Sequence, residues 1–244
     1  MSTFVLVPGF WLGAWAWDEV AAPLRAAGHE VFPVTLPGLA ERAGDKGEIG
    51  LEEHIAELAG LLVREDLWEV VLVAHSGACA PVGGVADRMP ERIRRVVYLD
   101  SGPMADGTSV QDLWQPDFRE AADASVVDGR LPMPSWEFMA AHGSSLDGLD
   151  EAALARIRAR LTPHPVGAFR DALRLGGAGA ALPQALVSCS LPLDQVKELV
   201  AAGHPWFAGM AGPNWELREL PTGHWPMFSR PADTAALLAE LAAI

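Results

Sequence analysis

Residues 69–75, EVVLVAH, are a nearly unbroken apolar run, and SGACAPVGGVADR follows with no polar spacer between them. A short run rich in β-branched residues reads as a strand buried on both faces, as in a parallel sheet covered by helices. The following residues are small and then take up a helical pattern. The passage therefore predicts a central strand that turns at once into a helix, with Ser76 at the turn. Few layered folds other than α/β folds accommodate such a unit, because the strand must be hidden on both sides.

The rest of the chain repeats the unit. Strand patterns are expected at 3–8 (TFVLVP), 30–36 (EVFPVTL), 94–99 (RRVVYL), 185–190 (ALVSCS) and 214–220 (NWELREL). Helix patterns are expected at 17–27, 51–66, 192–203 and 231–243; in the second, Leu51, Ile55, Leu58, Leu61 and Leu62 share one helical face. Strands alternating with helices argue for a mostly parallel sheet with right-handed crossovers. Between 103 and 182 the alternation breaks. That stretch shows helix patterns near 109–123, 134–142 and 150–161 and no convincing strand. The expectation is one α/β domain, 1–244, with a helical cap, 103–182, inserted after the strand ending near Asp100. The run GGAGAALPQ (176–184) is its return hinge.

Composition narrows the function. With 244 residues the chain can bury a sizeable core, and 50% apolar with 20% charged residues is ordinary for a globular protein. A formal net charge of −14 disfavours nucleic acid or an anionic membrane as partner. The first residues, MSTFVLVPGF, lack a basic n-region and a long apolar run, so a cytoplasmic protein without signal peptide or membrane span is expected. Cys79 and Cys189 read as buried reduced thiols. The seven histidines form no metal-binding spacing, and the glycines form neither a P-loop nor a dinucleotide fingerprint, so no metal and no cofactor is expected.

Ala74-His75-Ser76-Gly77-Ala78 resembles the nucleophile elbow of α/β-hydrolases, written G-x-S-x-G, with alanine keeping the small size the sharp turn needs. Pro221-Thr222-Gly223-His224-Trp225-Pro226 follows the last strand, where that family keeps its catalytic histidine. Val7-Pro8-Gly9-Phe10-Trp11 stands where the family has a His-Gly-x loop, although Pro8 replaces the histidine. The resemblance spans the whole chain and is nearest the small esterase, methylesterase and hydroxynitrile lyase branch. It implies Ser76 as nucleophile, His224 as general base, and the backbone N–H groups of Phe10 and Gly77 as oxyanion donors.

The acid is less plain. Relatives usually place it after the strand that reads ALVSCS here, but this chain continues Leu191-Pro192-Leu193-Asp194. Asp100, ending the RRVVYL strand, is the other place where the fold presents an acid. It is favoured, with Asp194 as the alternative. Nine tryptophans against one tyrosine suggest an aromatic pocket; Trp11, Trp114, Trp136, Phe138, Met139 and Trp225 are the candidates for its wall. His75 reads as packing; His164, in the insertion, is expected on the surface, with a place in the pocket as the alternative. The expected activity is serine hydrolysis of a small, largely apolar ester through an acyl-enzyme. The alternatives are a hydroxynitrile-lyase-like enzyme on the same site or a non-catalytic binding protein. The partner is a small-molecule substrate, and the oligomeric state stays open, a homodimer included.

Overall fold

In the computed structural model, which describes residues 1–204 and 207–243, the apolar segments pair into one parallel sheet. Strand β1 (Thr3–Val7) is followed by α1 (Asp18–Ala26), β2 (Glu30–Pro33) and α2 (Leu51–Arg64). Then come β3 (Val70–His75), α3 (Cys79–Arg88) and β4 (Ile93–Leu99). The next stretch holds α4 (Pro116–Ser125), the strand β5 (Arg130–Leu131), α5 (Trp136–Ala141), α6 (Glu151–Arg158), β6 (His164–Pro165) and α7 (Gly167–Arg170). The chain closes with β7 (Gln184–Ser188), α8 (Leu193–Ala201), β8 (Trp215–Glu219), α9 (Pro226–Ser229) and α10 (Pro231–Ala243).

The sheet order is β2-β1-β3-β4-β7-β8, every neighbouring pair parallel. All six residues of β3 are buried, as a strand covered by helices on both faces requires. The chain leaves β1 in one direction, to β2, and returns past it to run β3, β4, β7, β8 in the other. Such a reversal opens a crevice beyond the carboxyl ends of β1 and β3, where open α/β sheets bind ligands. Register delivers three loops to that crevice. Val7 pairs with Ala74 and His75 with Leu99, so Gly9, Ser76 and Asp100 all emerge at the same end.

Three expectations change. Strand β2 stops at Pro33, which has no N–H to give a ladder, although the Val34 N–H still reaches the Leu6 carbonyl at 3.0 Å. The helix expected over 109–123 splits into a 3₁₀ turn at Val110–Leu113 and α4, because Pro116 forces Gln115 into an extended conformation and restarts the helix. Between Leu99 and Gln184 the chain adds nothing to the main sheet. It does contain β5 and β6, paired as a two-residue antiparallel ribbon that no periodicity announced. This segment lies over the crevice: Trp11 Nε1–H donates to the Leu131 carbonyl at 2.8 Å, and the Thr162 N–H to the Trp11 carbonyl at 3.1 Å. Among the described residues, no helix is long and apolar enough to cross a membrane.

Candidate active site

Ser76 stands between β3 and α3 with φ +52°, in the left-handed region that L-residues populate only when their surroundings compel it. Ala74 and Ala78 are buried on either side, where larger side chains would meet the sheet or α3. The Ser101 hydroxyl donates to the Ser76 carbonyl at 2.6 Å and holds the turn from the next strand. Trp11 after β1 and Asp100 after β4 also have positive φ, +65° and +45°. Beyond the carboxyl ends of three neighbouring strands the chain thus passes through a strained residue.

His224 comes from the loop between β8 and α9 and brings its Nε2 to 2.9 Å from Ser76 Oγ. Its Nδ1 lies 2.6 Å from Asp100 Oδ2. A carboxylate can only accept, so Nδ1 carries the proton and Nε2 is left with a lone pair facing the serine hydroxyl. The His224 N–H donates to the Ser145 carbonyl at 2.7 Å, which ties this loop to the segment after α5.

Asp100 is also held by the end of β7. Its Oδ1 accepts the Cys189 and Ser190 N–H groups at 3.0 and 2.9 Å, and its Oδ2 accepts the Ser190 hydroxyl at 2.7 Å. Burial opposes its charge, but the bonds from His224 and Ser190 outweigh it and hold the carboxyl well below the usual carboxylate range. Asp194, the alternative acid, is in the first turn of α8 with its side chain 92% exposed, paired with Lys197 at 3.2 Å. Its carboxylate is bonded to Lys197, whereas the His224 Nδ1 is taken by Asp100. The turn where relatives usually carry an acid supplies donors to one here.

Gly9 runs so close to the nucleophile that a Cβ on it would lie 2.9 Å from Ser76 Cβ. Gly77 faces the Phe10 ring, and a Cβ there would fall 2.5 Å from two ring carbons. Close approach to the end of β3 thus requires glycine at Gly9, and a side chain at Gly77 would displace the Phe10 ring. Among the described residues, the Phe10 and Gly77 amides have no acceptor within the chain.

A cavity of about 750 Å³ opens above these groups. Trp11, Trp114, Met139 and Trp225 line it, as do Ser76, His224, Phe10 and Gly77. Trp136 and Phe138 do not. Trp136 sets its ring edge-on against Trp225 at 5.2 Å, and Phe138 stacks on His142 at 4.1 Å, so both stand behind residues that form the wall. The sequence reading missed Phe118 of α4 and Phe207 and Met210 beyond α8, which also line it. Met210 lies in a single 3₁₀ turn, Ala208–Ala211, with Phe207 just before it, too short a stretch to carry a period, so nothing in the sequence singles them out.

His164, expected on the surface, is 2% exposed. It belongs to β6, which packs against the loop after β1 rather than against solvent. His75 is fully buried, but it is more than packing, since both its ring nitrogens are bonded. Cys79 and Cys189 are free and buried. Burial pushes the Cys79 thiol up to about 11 and raises Cys189 as well, so neither offers a thiolate at neutral pH. Among the described residues, no cluster of histidine, cysteine and carboxylate side chains could hold a metal ion.

Known proteins bear on this geometry. A profile of the alpha/beta hydrolase family matches residues 4–237. The chain is 31% identical to a carbendazim hydrolyzing esterase of Nocardioides sp. (strain SG-4G), over 99% of this chain and 100% of that one. It is 28% identical to methylesterase 7 of Arabidopsis thaliana, over 98% of this chain and 95% of the other. Among solved structures, an extracellular alpha/beta-hydrolase from a Paenibacillus species superposes with a TM-score of 0.82 at 21% identity, covering 98% of both chains. A methylesterase from Arabidopsis superposes with a TM-score of 0.74 at 23% identity, covering 100% of this chain and 99% of that one. These two share the fold. With the matching profile, the esterase relatives and the parallel sheet in agreement, the chain belongs to the alpha/beta hydrolase family, among its small esterases and methylesterases.

Proposed function

We propose that this protein is a serine hydrolase that cleaves a small, largely apolar ester through an acyl-enzyme. The observation that carries the reading is the unbroken chain Ser76 Oγ, His224, Asp100, at 2.9 and 2.6 Å, opening into an aromatic cavity. His224 Nε2 takes the Ser76 proton as Oγ attacks the ester carbonyl. The carbonyl π electrons move onto oxygen, where the free Phe10 and Gly77 amides receive the negative charge. The imidazolium, held by Asp100, returns its proton to the leaving alcohol as the C–O bond breaks. Water, deprotonated by the same imidazole, then releases the carboxylic acid and regenerates Ser76. No cofactor enters the scheme.

The esterase relatives support ester hydrolysis. The cavity's Trp114, Met139 and Phe118 support an apolar substrate. Residues 103–182 act as the cap that shapes this chamber.

A fluorophosphonate probe tests the nucleophile. Wild-type protein is expected to label at Ser76 and to turn over a simple activated ester, and Ser76→Ala to lose both. Labelling elsewhere with activity intact in the variant would overturn the assignment, and a folded wild type without turnover would leave a binding protein on the same pocket.

A further inference from the structure

Two buried imidazoles that the reaction does not use hold the loop between β1 and α1 at two of its amides. His75, at the end of β3, accepts the Gly9 N–H on its Nδ1 at 3.2 Å. His164, on the β5–β6 ribbon, accepts the Trp11 N–H on its Nδ1 at 3.3 Å. Between these two occupied amides lies that of Phe10, which has no acceptor among the described residues. A backbone N–H can only donate, so each Nδ1 bears a lone pair and each Nε2 the proton. For His75 the second bond agrees, since its Nε2–H donates to the His224 carbonyl at 2.7 Å. The His164 Nε2–H has no partner among the described residues, a cost set against the bond its Nδ1 accepts.

We infer that His75 and His164 are positioning residues which clamp the amides on either side of Phe10 and leave the Phe10 amide aimed at the reacting oxygen. The inference rests on the hydrolase reading, in which that amide is an oxyanion donor. The strain in the loop shows why a clamp is needed. Trp11 sits at φ +65°, a conformation that costs a few kcal/mol unless its neighbours hold it. The Trp11 carbonyl and indole N–H are bonded to Thr162 and Leu131, so its backbone and side chain are tied to the inserted segment at three points. The His164 ring also packs against the Phe10 ring, centroids 4.3 Å apart. Burial holds both histidines neutral, His75 with its pKa down to about 3 and His164 well below 6.5, which keeps both lone pairs available at working pH.

His164 is the cleaner test, because His75 also holds His224. His164→Leu removes the acceptor, while His164→Asn offers its Oδ1 near the place of Nδ1. On one activated ester, after melts show both folded, the leucine variant is expected to lose about 10- to 100-fold in kcat with KM within about twofold, as for a displaced oxyanion donor. The asparagine variant is expected to recover most of that loss, and hydrogen exchange at the Trp11 amide to accelerate only in the leucine variant. If His164→Leu does not fold, His164→Met, whose thioether is only a weak acceptor, takes its place with the same expectation. Equal losses in the acceptor-bearing and acceptor-free variants, a change in KM alone, or an unaltered kcat without the acceptor would each overturn the clamp. Wild-type protein without any ester turnover would instead fail the hydrolase reading, and Trp11 exchange would still decide whether His164 holds the loop.

Discussion

Asp100 receives four hydrogen bonds, and their arrangement decides what an amide in its place would do. The Cys189 and Ser190 amides face Oδ1, so an asparagine would turn its carbonyl oxygen toward them and its NH₂ toward His224. His224 Nδ1 would then have to accept, and the proton would move to Nε2, where it blocks transfer from Ser76. Asp100→Asn is therefore expected to fold normally and to lose about 10⁴-fold in kcat, the size of loss seen when a triad aspartate becomes asparagine. Asp194→Asn is expected to leave kcat/KM unchanged, because Asp194 is exposed and its ion pair with Lys197 contributes little. The comparison is kcat/KM for both variants on one activated ester, with melts as control. A crippled Asp194 variant would put the acid after β7 instead. Ser190→Ala belongs between them, with a modest loss, since it removes one of three bonds from β7 and leaves the two amides in place.

At the scale of the element, the wall of the cavity is built from short pieces rather than long helices. Trp114 follows the 3₁₀ turn that Pro116 cuts off, and its ring lies 4.9 Å from Phe169 and 5.0 Å from Phe118. Trp136 and Phe138 are in α5 but reach the chamber only through Trp225 and His142. Trp114→Ala is therefore expected to raise kcat/KM for bulky esters relative to an acetate ester by about tenfold, a typical return for reshaping an apolar pocket. Phe138→Ala is expected to move that ratio much less. A substrate series graded in acyl and alcohol size measures both, and equal losses on all substrates would mean that Trp114 only packs.

For the whole molecule, three buried histidines, His54, His75 and His164, set the response to acid. Burial lowers His54 to about 4 and His75 to about 3, and lowers His164 well below 6.5. In the unfolded chain all three titrate near 6.5, so below that value the unfolded state binds more protons than the fold does. Stability is therefore full above about pH 6.5 and falls as pH drops toward 4, by up to about 1.4 kcal/mol per pH unit for each histidine. Urea midpoints at pH 7, 6 and 5 measure this. His54→Gln, which keeps an N–H for the Pro37 carbonyl, is expected to flatten the slope by about one proton. A flat profile from pH 7 to 5 in the wild type would contradict it.

The sequence by itself determined what depends on neighbours along the chain. The apolar run 70–75 had to be covered on both faces, the small residues around Ser76 permitted a turn that larger ones would block, and each strand pattern recurred where a parallel sheet needs it. The order of the Phe10, Ser76 and His224 segments was legible for the same reason, as each motif is local. Tertiary structure decided everything that depends on which ends meet. Asp100 was separable from Asp194 only once β4 and β7 were paired, because the pairing brings the Cys189 and Ser190 donors to its carboxylate. His164 read as a surface residue because its partner lies 153 positions away, across a ribbon too short to leave a period. A hydrogen bond between distant segments leaves no spacing in the chain, since its energy depends on a geometry that exists only after the sheet has closed.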